Sequence, residues 1–458
     1  MRPLRLSEIA AMTAGRVAGD DIVVDRLLTD TRGLTCVEPS VCASSLFVAL
    51  KGARFDGHDH VAAAADAGIG AALVSRVDGA LPQVLVGDTQ LALADIARGL
   101  QASRSTKVVA ITGSNGKTSV KTLTLAILEL AGRTYGNPGN RNNEIGLPLA
   151  VIDAPEDAQF AVYEMGAGQP GDIAYLTAIA RPDVAIVNNI APAHLERMGS
   201  LLGVADTKAA IYDALPADGV AVINADDSFA PFFAERAAGR RHIRFGLETS
   251  ADVTARDIVL TEAGSSFTLV TPDGEAAVEL AMPGRHNVRN ALAAASLAIG
   301  AGVGLATIAS GLSAARPVAG RLVTHRLRSG ATLIDDSYNA NPGSLAAAID
   351  TLASTPGEAW LVLGDMRELG DDAVALHAQA GTRAREAGIA RLYTLGPLSA
   401  AAADAFGASA RHFETHESLA ESLRADLSAD VRVLVKGSRG SAMDRIVAAL
   451  LNGHTHAA

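Results

Sequence analysis

Apolar residues fall into short continuous runs, separated by stretches in which they recur every three or four positions. The runs LFVALKG (46–52) and AALVS (71–75) come first, and KVVAIT (107–112), FAVYE (160–164), VAIVNN (184–189) and GVAVINADD (219–227) follow. Beyond Arg316-Pro317 a second series begins: TLIDD (332–336), AWLVLGD (359–365), RLYTLG (391–396) and VRVLVKG (431–437). The first two are short strand-like runs mixed with turns; from KVVAIT onward each run reads as a strand that alternates with a helix-period segment. Such alternation predicts parallel sheets covered by helices on both faces. One helix is predicted over DTQLALADIARGLQASRS (88–105) and a last one over 441–451. Between 251 and 283 the pattern changes to short strands with turn signals at EAGSS and TPDGE, a small antiparallel addition.

The predicted fold class is therefore α/β with three domains. Residues 1–86 form a mixed α/β unit and residues 87–314 a central parallel-sheet unit carrying the antiparallel addition. Residues 315–458 form a Rossmann-like unit. A chain of 458 residues, 49% hydrophobic and 19% charged, holds enough apolar material for several cores. Its net charge of −11 argues against general nucleic-acid or membrane-surface binding. Two cysteines, Cys36 and Cys42, have no metal-ligand spacing and read as reduced thiols of a cytoplasmic protein. Glu8 interrupts the apolar stretch that a signal peptide would need. Residues 291–315 lack any charge, but they are rich in Ala, Gly and Ser and broken by Gly300, Gly302 and Gly304. They read as two closely packed helices and not as a membrane span. His325, His377 and His412 belong to no pattern and read as surface residues.

The strongest chemical signal is VVAITGSNGKTSVKTLTLAILEL (108–130). A strand ends at Thr112, a Gly-rich turn follows, and a helix starts near Lys117 with Val120, Leu123, Ile127 and Leu130 on one face. Such a turn offers backbone N–H groups and a helix N-terminus to phosphate oxygens. Lys117 adds a charge for the β- and γ-phosphates and Thr118 a hydroxyl for Mg²⁺. The strict eight-residue P-loop pattern would have glycine where Ile111 stands, so only the shorter core from Gly113 to Thr118 is present; a plain strand-to-helix turn is the alternative. The turn alone does not separate a kinase, a GTPase switch, a motor or a ligase. Glu164 ends one strand and His194 lies just past another, and together they suit a divalent cation. Taken singly, each also reads as an ordinary capping or loop residue. A guanine-reading NKxD sequence is absent, which counts against a GTPase switch.

Those stretches, with NNEIGLP (142–148), YEMGA (163–167), NNIAPAHLE (188–196), GRHNVRNALAA (284–294) and LVKGSRG (434–440), resemble the Mur ligase family. These are the ATP-dependent amino-acid ligases of peptidoglycan precursor synthesis. TDTRGL (29–34), FVALKGARFDGHDH (47–60), LIDDSYNANPGS (333–344) and VLGDMRELG (362–370) narrow the resemblance. They point to the branch that joins D-alanyl-D-alanine to UDP-N-acetylmuramoyl-tripeptide. The Asp-Asn-Pro-Arg motif of the enzyme adding the third amino acid has no match. Folylpolyglutamate synthetases share the central domain but lack a TDTR-type N-terminal domain.

The resemblance implies that Gly113, Ser114, Asn115, Gly116, Lys117, Thr118 and Ser119 wrap the triphosphate of ATP. It makes Thr118, Glu164, His194 and Lys208 ligands of two Mg²⁺ ions, Lys208 as a carbamate. Asn290 would hold adenine, Arg321 would contact ATP, and Asp336 would bind ribose. Residues 1–86 would take the UDP-sugar through Asp30, Thr31, Arg32, Ser45, Phe47, Lys51, Asp56, Gly57 and His58. Asn142 and Asn143 would lie near the reacting end, and Tyr338, Asn339 and Asn341 would receive D-alanyl-D-alanine. Ala210 stands where the family usually has an acid two positions after the modified lysine, and TCVEPSVCASS (35–45) replaces a shorter turn. The implied reaction makes an acyl phosphate, which the third domain shields by closing over the site. A monomer is expected, with no nucleic-acid partner and no membrane insertion. A nucleotide-driven switch is the competing class, and the set Glu164, His194, Lys208 and Asp336 argues against it. A ligase with another acceptor is the nearer alternative.

Overall fold

The computed structural model describes residues 1–30, 42–52, 55–192, 195–261 and 263–452. Thr31, Arg32 and His194, expected at the site, lie outside the described residues. The first sheet has five strands in the order Arg16–Ala18, Gln83–Leu85, Ala71–Val74, Ser45–Val48 and Arg26–Leu28. Its first pairing is antiparallel and the other three are parallel. The helix Thr89–Ala102 leads away from it, started by Asp88, whose carboxylate accepts from the N–H groups of Gln90 and Leu91.

The central sheet is parallel throughout. Its order is Arg241–Phe245, Val220–Asn224, Val184–Val187, Lys107–Thr112, Phe160–Glu164 and Thr134–Gly136. Along Lys107–Thr112, Val108 and Ala110 enter one core, and Val109 and Ile111 enter another on the opposite face. Two-sided burial explains why these strands read as unbroken apolar runs instead of alternating ones. Because Lys107–Thr112 comes first in the chain but lies inside the sheet, neighbouring connections leave in opposite directions. That opens a crevice at the carboxyl ends of the strands.

The three-stranded antiparallel addition, Thr254–Leu260, Ser265–Thr271 and Gly274–Leu280, packs on the second of these cores. The uncharged stretch forms two helices, Arg285–Gly300 and Leu305–Ala314. Both pack against the Lys117–Ala131 helix, and no described helix is long and apolar enough to cross a membrane. The third sheet runs Val323–Arg326, Thr332–Asp336, Val431–Lys436, Glu358–Gly364, Arg391–Leu395 and Ala410–Phe413. Only its first pairing is antiparallel. Here too the faces divide a strand, with Leu361 and Leu363 in one core and Trp360 and Val362 in the other.

Three expectations are corrected. Leu130 is exposed; the buried stripe of its helix is Val120, Leu123, Thr124, Ile127 and Leu128, so Leu128 takes its place near the end. His377 is buried, because one ring nitrogen accepts from the Met366 N–H and the other bonds the Ala373 carbonyl, satisfying both polar atoms. Cys42 is disulfide-bonded and not a reduced thiol.

Gly311 marks how closely the Leu305–Ala314 helix seats on Lys117–Ala131. A Cβ there would lie 2.5 Å from Ile127 Cα and 2.9 Å from the Ala126 carbonyl oxygen, both backbone atoms that cannot swing aside. We expect Gly311→Val to destabilise the protein by about 1–3 kcal/mol through overpacking. Gly87→Ala, whose Cβ would meet open space, should stay within about 0.5 kcal/mol of wild type. Urea unfolding midpoints of the two variants check the difference.

Candidate active site

A cleft of about 1090 Å³ runs between the central and third sheets and is lined by the Gly-rich turn, the 140–144 and 166–172 loops, and residues 286–290, 320–322 and 336–348. The turn is built by close approach. Gly116 has φ +78°, and a Cβ on it would lie 2.6 Å from Asn290 Oδ1 and 2.7 Å from Asn188 Nδ2. Glycine is therefore required there both for the left-handed backbone and for the space. Asn188 and Asn189, at the end of the neighbouring strand, tie the turn down. The Asn115 N–H donates to Asn189 Oδ1 at 2.8 Å, and both asparagine amides donate to the Asn115 carbonyl. Ser114 Oγ donates to the Ala191 carbonyl and accepts from the Ala191 N–H. The helix Lys117–Ala131 then starts with its N-terminus facing the cleft.

Glu164 is the electrostatic centre. It is 4% exposed, so burial pushes its carboxyl pKa up. The ammonium groups of Lys117 and Lys121 and hydrogen bonds from Thr118 and Asn142 outweigh burial and hold it below the ordinary value. Thr118 Oγ1 donates to Oε2 at 2.9 Å, Asn142 Nδ2 to Oε1 at 2.9 Å, and Lys121 Nζ stands 3.5 Å from Oε2. Asn137 brackets the same residue, with Oδ1 accepting the Glu164 N–H and Nδ2 donating to the Glu164 carbonyl. Glu164, read from the sequence as a cation ligand or a capping residue, also neutralises a buried lysine. Lys121 and Asn137 were not identified from the sequence; polar side chains on a helix and in a turn ordinarily face water.

Lys117 donates from Nζ to the Gly113 carbonyl at 2.7 Å. Burial lowers its pKa, Glu164 opposes that, and Arg321 adds to it. Lys208, which the resemblance makes a carbamate ligand, is buried. Burial and the nearby Lys117 charge lower its pKa to about 7, only partly opposed by Asp172. The acid missing at position 210 thus has a counterpart from another element. Asp172 belongs to the cleft-lining 166–172 loop, where its Oδ2 accepts from the Gly168 and Gln169 N–H groups.

Residues flanking the third sheet's first two strands meet the turn directly. Arg321 donates to Thr118 Oγ1 at 2.9 Å, and its guanidinium lies 4.6 Å from the Tyr338 ring centroid. Asn341 Nδ2 donates to Asn115 Oδ1 at 2.6 Å, while its own Oδ1 caps the helix Pro342–Ala353 by accepting the Ser344 N–H. Asp336 is paired with Lys436 at 2.5 Å; burial still raises its pKa despite that lysine and Arg321. Asn290, Tyr338 and Asn339 line the same cleft, as do Ser114, Asn115, Ser119, Asn142 and Asn143.

The candidates in the first sheet stand apart, and none of those described lines the cleft. Phe47 is packed among Ala49, Val61 and Ile69 and is withdrawn as a contact, since a ring enclosed in a core has no face for a ligand. Ser45 is buried in its strand. His58 is buried between Asp56 Oδ1, 2.6 Å from Nδ1, and the Ser75 N–H, which donates to Nε2. The Gly57 N–H donates to the Leu50 carbonyl, and a Cβ on Gly57 would strike that backbone. Asp30 and Lys51 are exposed.

A strand-turn-helix phosphate cradle, a buried oxygen-donor pair and a third sheet laid over them define a nucleotide-binding α/β protein. The chain belongs to the Mur ligase family. The Mur ligase middle domain matches residues 111–298, and the Mur ligase glutamate ligase domain matches residues 320–439. Two relatives carry the name UDP-N-acetylmuramoyl-tripeptide–D-alanyl-D-alanine ligase. That of Escherichia coli (strain K12) is 43% identical over 99% of this chain and 100% of its own length. That of Bacillus subtilis (strain 168) is 35% identical over 97% and 98%. A crystal structure of MurF from Acinetobacter baumannii superposes with TM-score 0.93 at 33% identity, covering 99% of each chain. The MurF ligase of Thermotoga maritima in complex with ADP gives TM-score 0.84 at 28% identity, covering 93% of this chain and 97% of that one.

The buried pair supplies a stability test. Glu164→Ala removes the partner of a lysine 6% exposed, and stranding such a charge costs about 3–5 kcal/mol. We expect Glu164→Ala/Lys121→Met to recover much of that loss, because the second change removes the stranded charge. Denaturant unfolding of both variants and of Lys121→Met alone measures the coupling; a double-variant loss equal to the sum of the two single losses would show that the pair does not couple.

Proposed function

We infer that the protein ligates D-alanyl-D-alanine to UDP-N-acetylmuramoyl-tripeptide with consumption of ATP, giving the UDP-linked pentapeptide, ADP and phosphate. One observation carries this reading. The phosphate cradle of one sheet and the Arg321, Asp336 and Tyr338 cluster of another form one cleft, as a reaction joining two anionic partners requires. The full-length relatives bearing this activity's name support it.

The donor set fits ATP with Mg²⁺. Thr118 Oγ1 and the Glu164 carboxylate are hard oxygen donors 2.9 Å apart, and the glycine turn leaves the room a Cβ would fill. Among the described residues no three His, Cys, Asp or Glu side chains gather, which suits a cation that keeps phosphate and water oxygens as ligands. Bound there, Mg²⁺ supplies neutralisation of phosphate charge. Two ions are our proposal, with Thr118 and Glu164 toward the first and Lys208 and His194 toward the second.

The tripeptide carboxylate oxygen attacks the γ-phosphorus and the bond to ADP breaks, leaving an acyl phosphate. The dipeptide amine adds to the acyl carbon and loses a proton, and phosphate leaves with the carboxylate's oxygen. Lys117 and Arg321 stabilise the charge that gathers as the anions approach. The 142–143 loop positions the carboxylate end, Asn290 the adenine, and Asp336 the ribose. The third sheet, already bonded to the turn through Arg321 and Asn341, excludes water from the acyl phosphate. Residues 1–86 hold the UDP-sugar, residues 87–314 the nucleotide and residues 315–458 the acceptor. The cleft is assembled within one chain, and we propose that it acts as a monomer in the cytoplasm, where ATP is available. Mass spectrometry of the products from ATP, UDP-N-acetylmuramoyl-tripeptide and D-alanyl-D-alanine tests the reading; unchanged substrates would refute it.

Lys117→Ala should lower turnover about a thousandfold or more, since it removes the turn's own cation from the transferring phosphoryl group. Phosphate release by a folded variant measures it, and near-normal turnover would end the assignment.

Lys208 carries a pH-dependent expectation. The free amine, and not the ammonium, reacts with CO₂ to give a carbamate. A pKa near 7 makes the neutral form dominant above neutrality, where an ordinary lysine would remain protonated. A lysine whose folded pKa is depressed also makes folding more favourable as pH rises from about 7 toward the unfolded value, because the unfolded chain binds the extra proton there. Isotope-labelled bicarbonate should give a protein-bound carbamate signal that grows between about pH 6 and 8 and is absent in Lys208→Arg. A signal persisting in that variant would assign it elsewhere.

A further inference from the structure

The cationic side chains lining the cleft sort by what they already hold. Lys117 bonds the turn, Arg321 bonds Thr118, Lys436 pairs with Asp336, and Arg289 stands 3.5 Å from Asp226. Two others line the cleft from opposite walls: Arg197, beside Gly168 on the central-sheet side, and Arg439, just past the carboxyl end of the Val431–Lys436 strand. Arg439 is 68% exposed, its NH1 3.6 Å from the Asp444 carboxylate, a distance at which a surface pair exchanges readily with other anions.

The backbone presenting Arg439 is fixed. The preceding Ser438 donates from Oγ to the Ala340 carbonyl at 3.0 Å and accepts the Arg367 N–H at 2.9 Å, and its own N–H donates to the Asp365 carbonyl. The Arg439 guanidinium lies 5.6 Å from the centroid of Tyr338, the ring that also carries Arg321. One aromatic side chain therefore links the cation facing Thr118 to a second cation on the third sheet's side of the cleft.

The choice between these arginines rests on the reading above, in which residues 315–458 take the acceptor. The position of Arg439 beside Tyr338 sets it on the acceptor's side of the cleft and Arg197 on the other. A dipeptide offers two ionisable groups, the amine that must reach the acyl carbon and a terminal carboxylate. Two extended residues span at most about 7 Å, so the carboxylate lies within that reach of the reacting amine. A guanidinium matches a carboxylate with two parallel hydrogen bonds. We propose that Arg439 binds the C-terminal carboxylate of the dipeptide and makes the enzyme selective for an acceptor whose carboxylate is free.

Replacing the ligand's group and the protein's group independently tests this. kcat/KM is measured for D-alanyl-D-alanine and for D-alanyl-D-alaninamide, with the full chain, Arg439→Gln, Arg439→Lys and Arg197→Gln. Wild type should lose about 10- to 100-fold on the amide, the range for a hydrogen bond to a charged group. Arg439→Gln should lose a similar factor on the acid and treat acid and amide alike, with KM for ATP and for the UDP-substrate unchanged. Arg439→Lys should keep part of the discrimination, and Arg197→Gln all of it. Equal use of acid and amide by wild type, discrimination surviving in Arg439→Gln, or its loss in Arg197→Gln would each overturn the proposal. Failure of wild type to ligate either acceptor would instead overturn the reading of the reaction, and with it this proposal.

Discussion

Every part of the cleft answers to one constraint, the surplus of positive charge that a triphosphate site must hold before any phosphate arrives. Glu164 is the carboxylate that balances it. Its Oε2 takes the Thr118 hydroxyl and faces Lys121, and the Thr118 oxygen in turn accepts Arg321 from the segment leading into the third sheet. The chain Arg321, Thr118, Glu164 therefore runs from one sheet to another through the first residues of the helix that faces the phosphates. Loss of Glu164 would disturb a buried ion pair and the hydrogen-bonded link to Arg321 together.

The central sheet decides where this happens. Lys107–Thr112 delivers the turn, Phe160–Glu164 delivers the carboxylate, and Val184–Val187 is followed by the two asparagines that fasten the turn. Three adjacent parallel strands thus end on the same side with three different chemical contributions. Buried Lys208 extends the pattern, since a lysine with a pKa near 7 is costly to bury as an ammonium and ready to react as an amine.

Much of the architecture was legible because strands buried on two faces leave unbroken apolar runs, and the turn was legible because its glycines and Lys-Thr are contiguous. Residues whose role depends on long-range packing were not. Lys121 looks like any polar position on a helix until Glu164, more than forty residues away, is brought against it. Asn188 and Asn189 sit inside a quoted motif, yet nothing local indicates that they bond the Asn115 carbonyl. Phe47 misled in the opposite sense, since its place in a motif-like stretch says nothing about its burial in the small sheet's core. His377 was unreadable for the same reason, because both of its partners lie on backbone that folding brings near.

The central step of the proposed reaction is activation of a carboxylate by phosphorylation before the amine attacks. Labelling the reacting carboxylate of UDP-N-acetylmuramoyl-tripeptide with heavy oxygen and analysing the released phosphate by mass spectrometry follows that oxygen directly. An acyl phosphate requires one labelled oxygen in each phosphate formed. Phosphate released without label, alongside authentic pentapeptide, would contradict it.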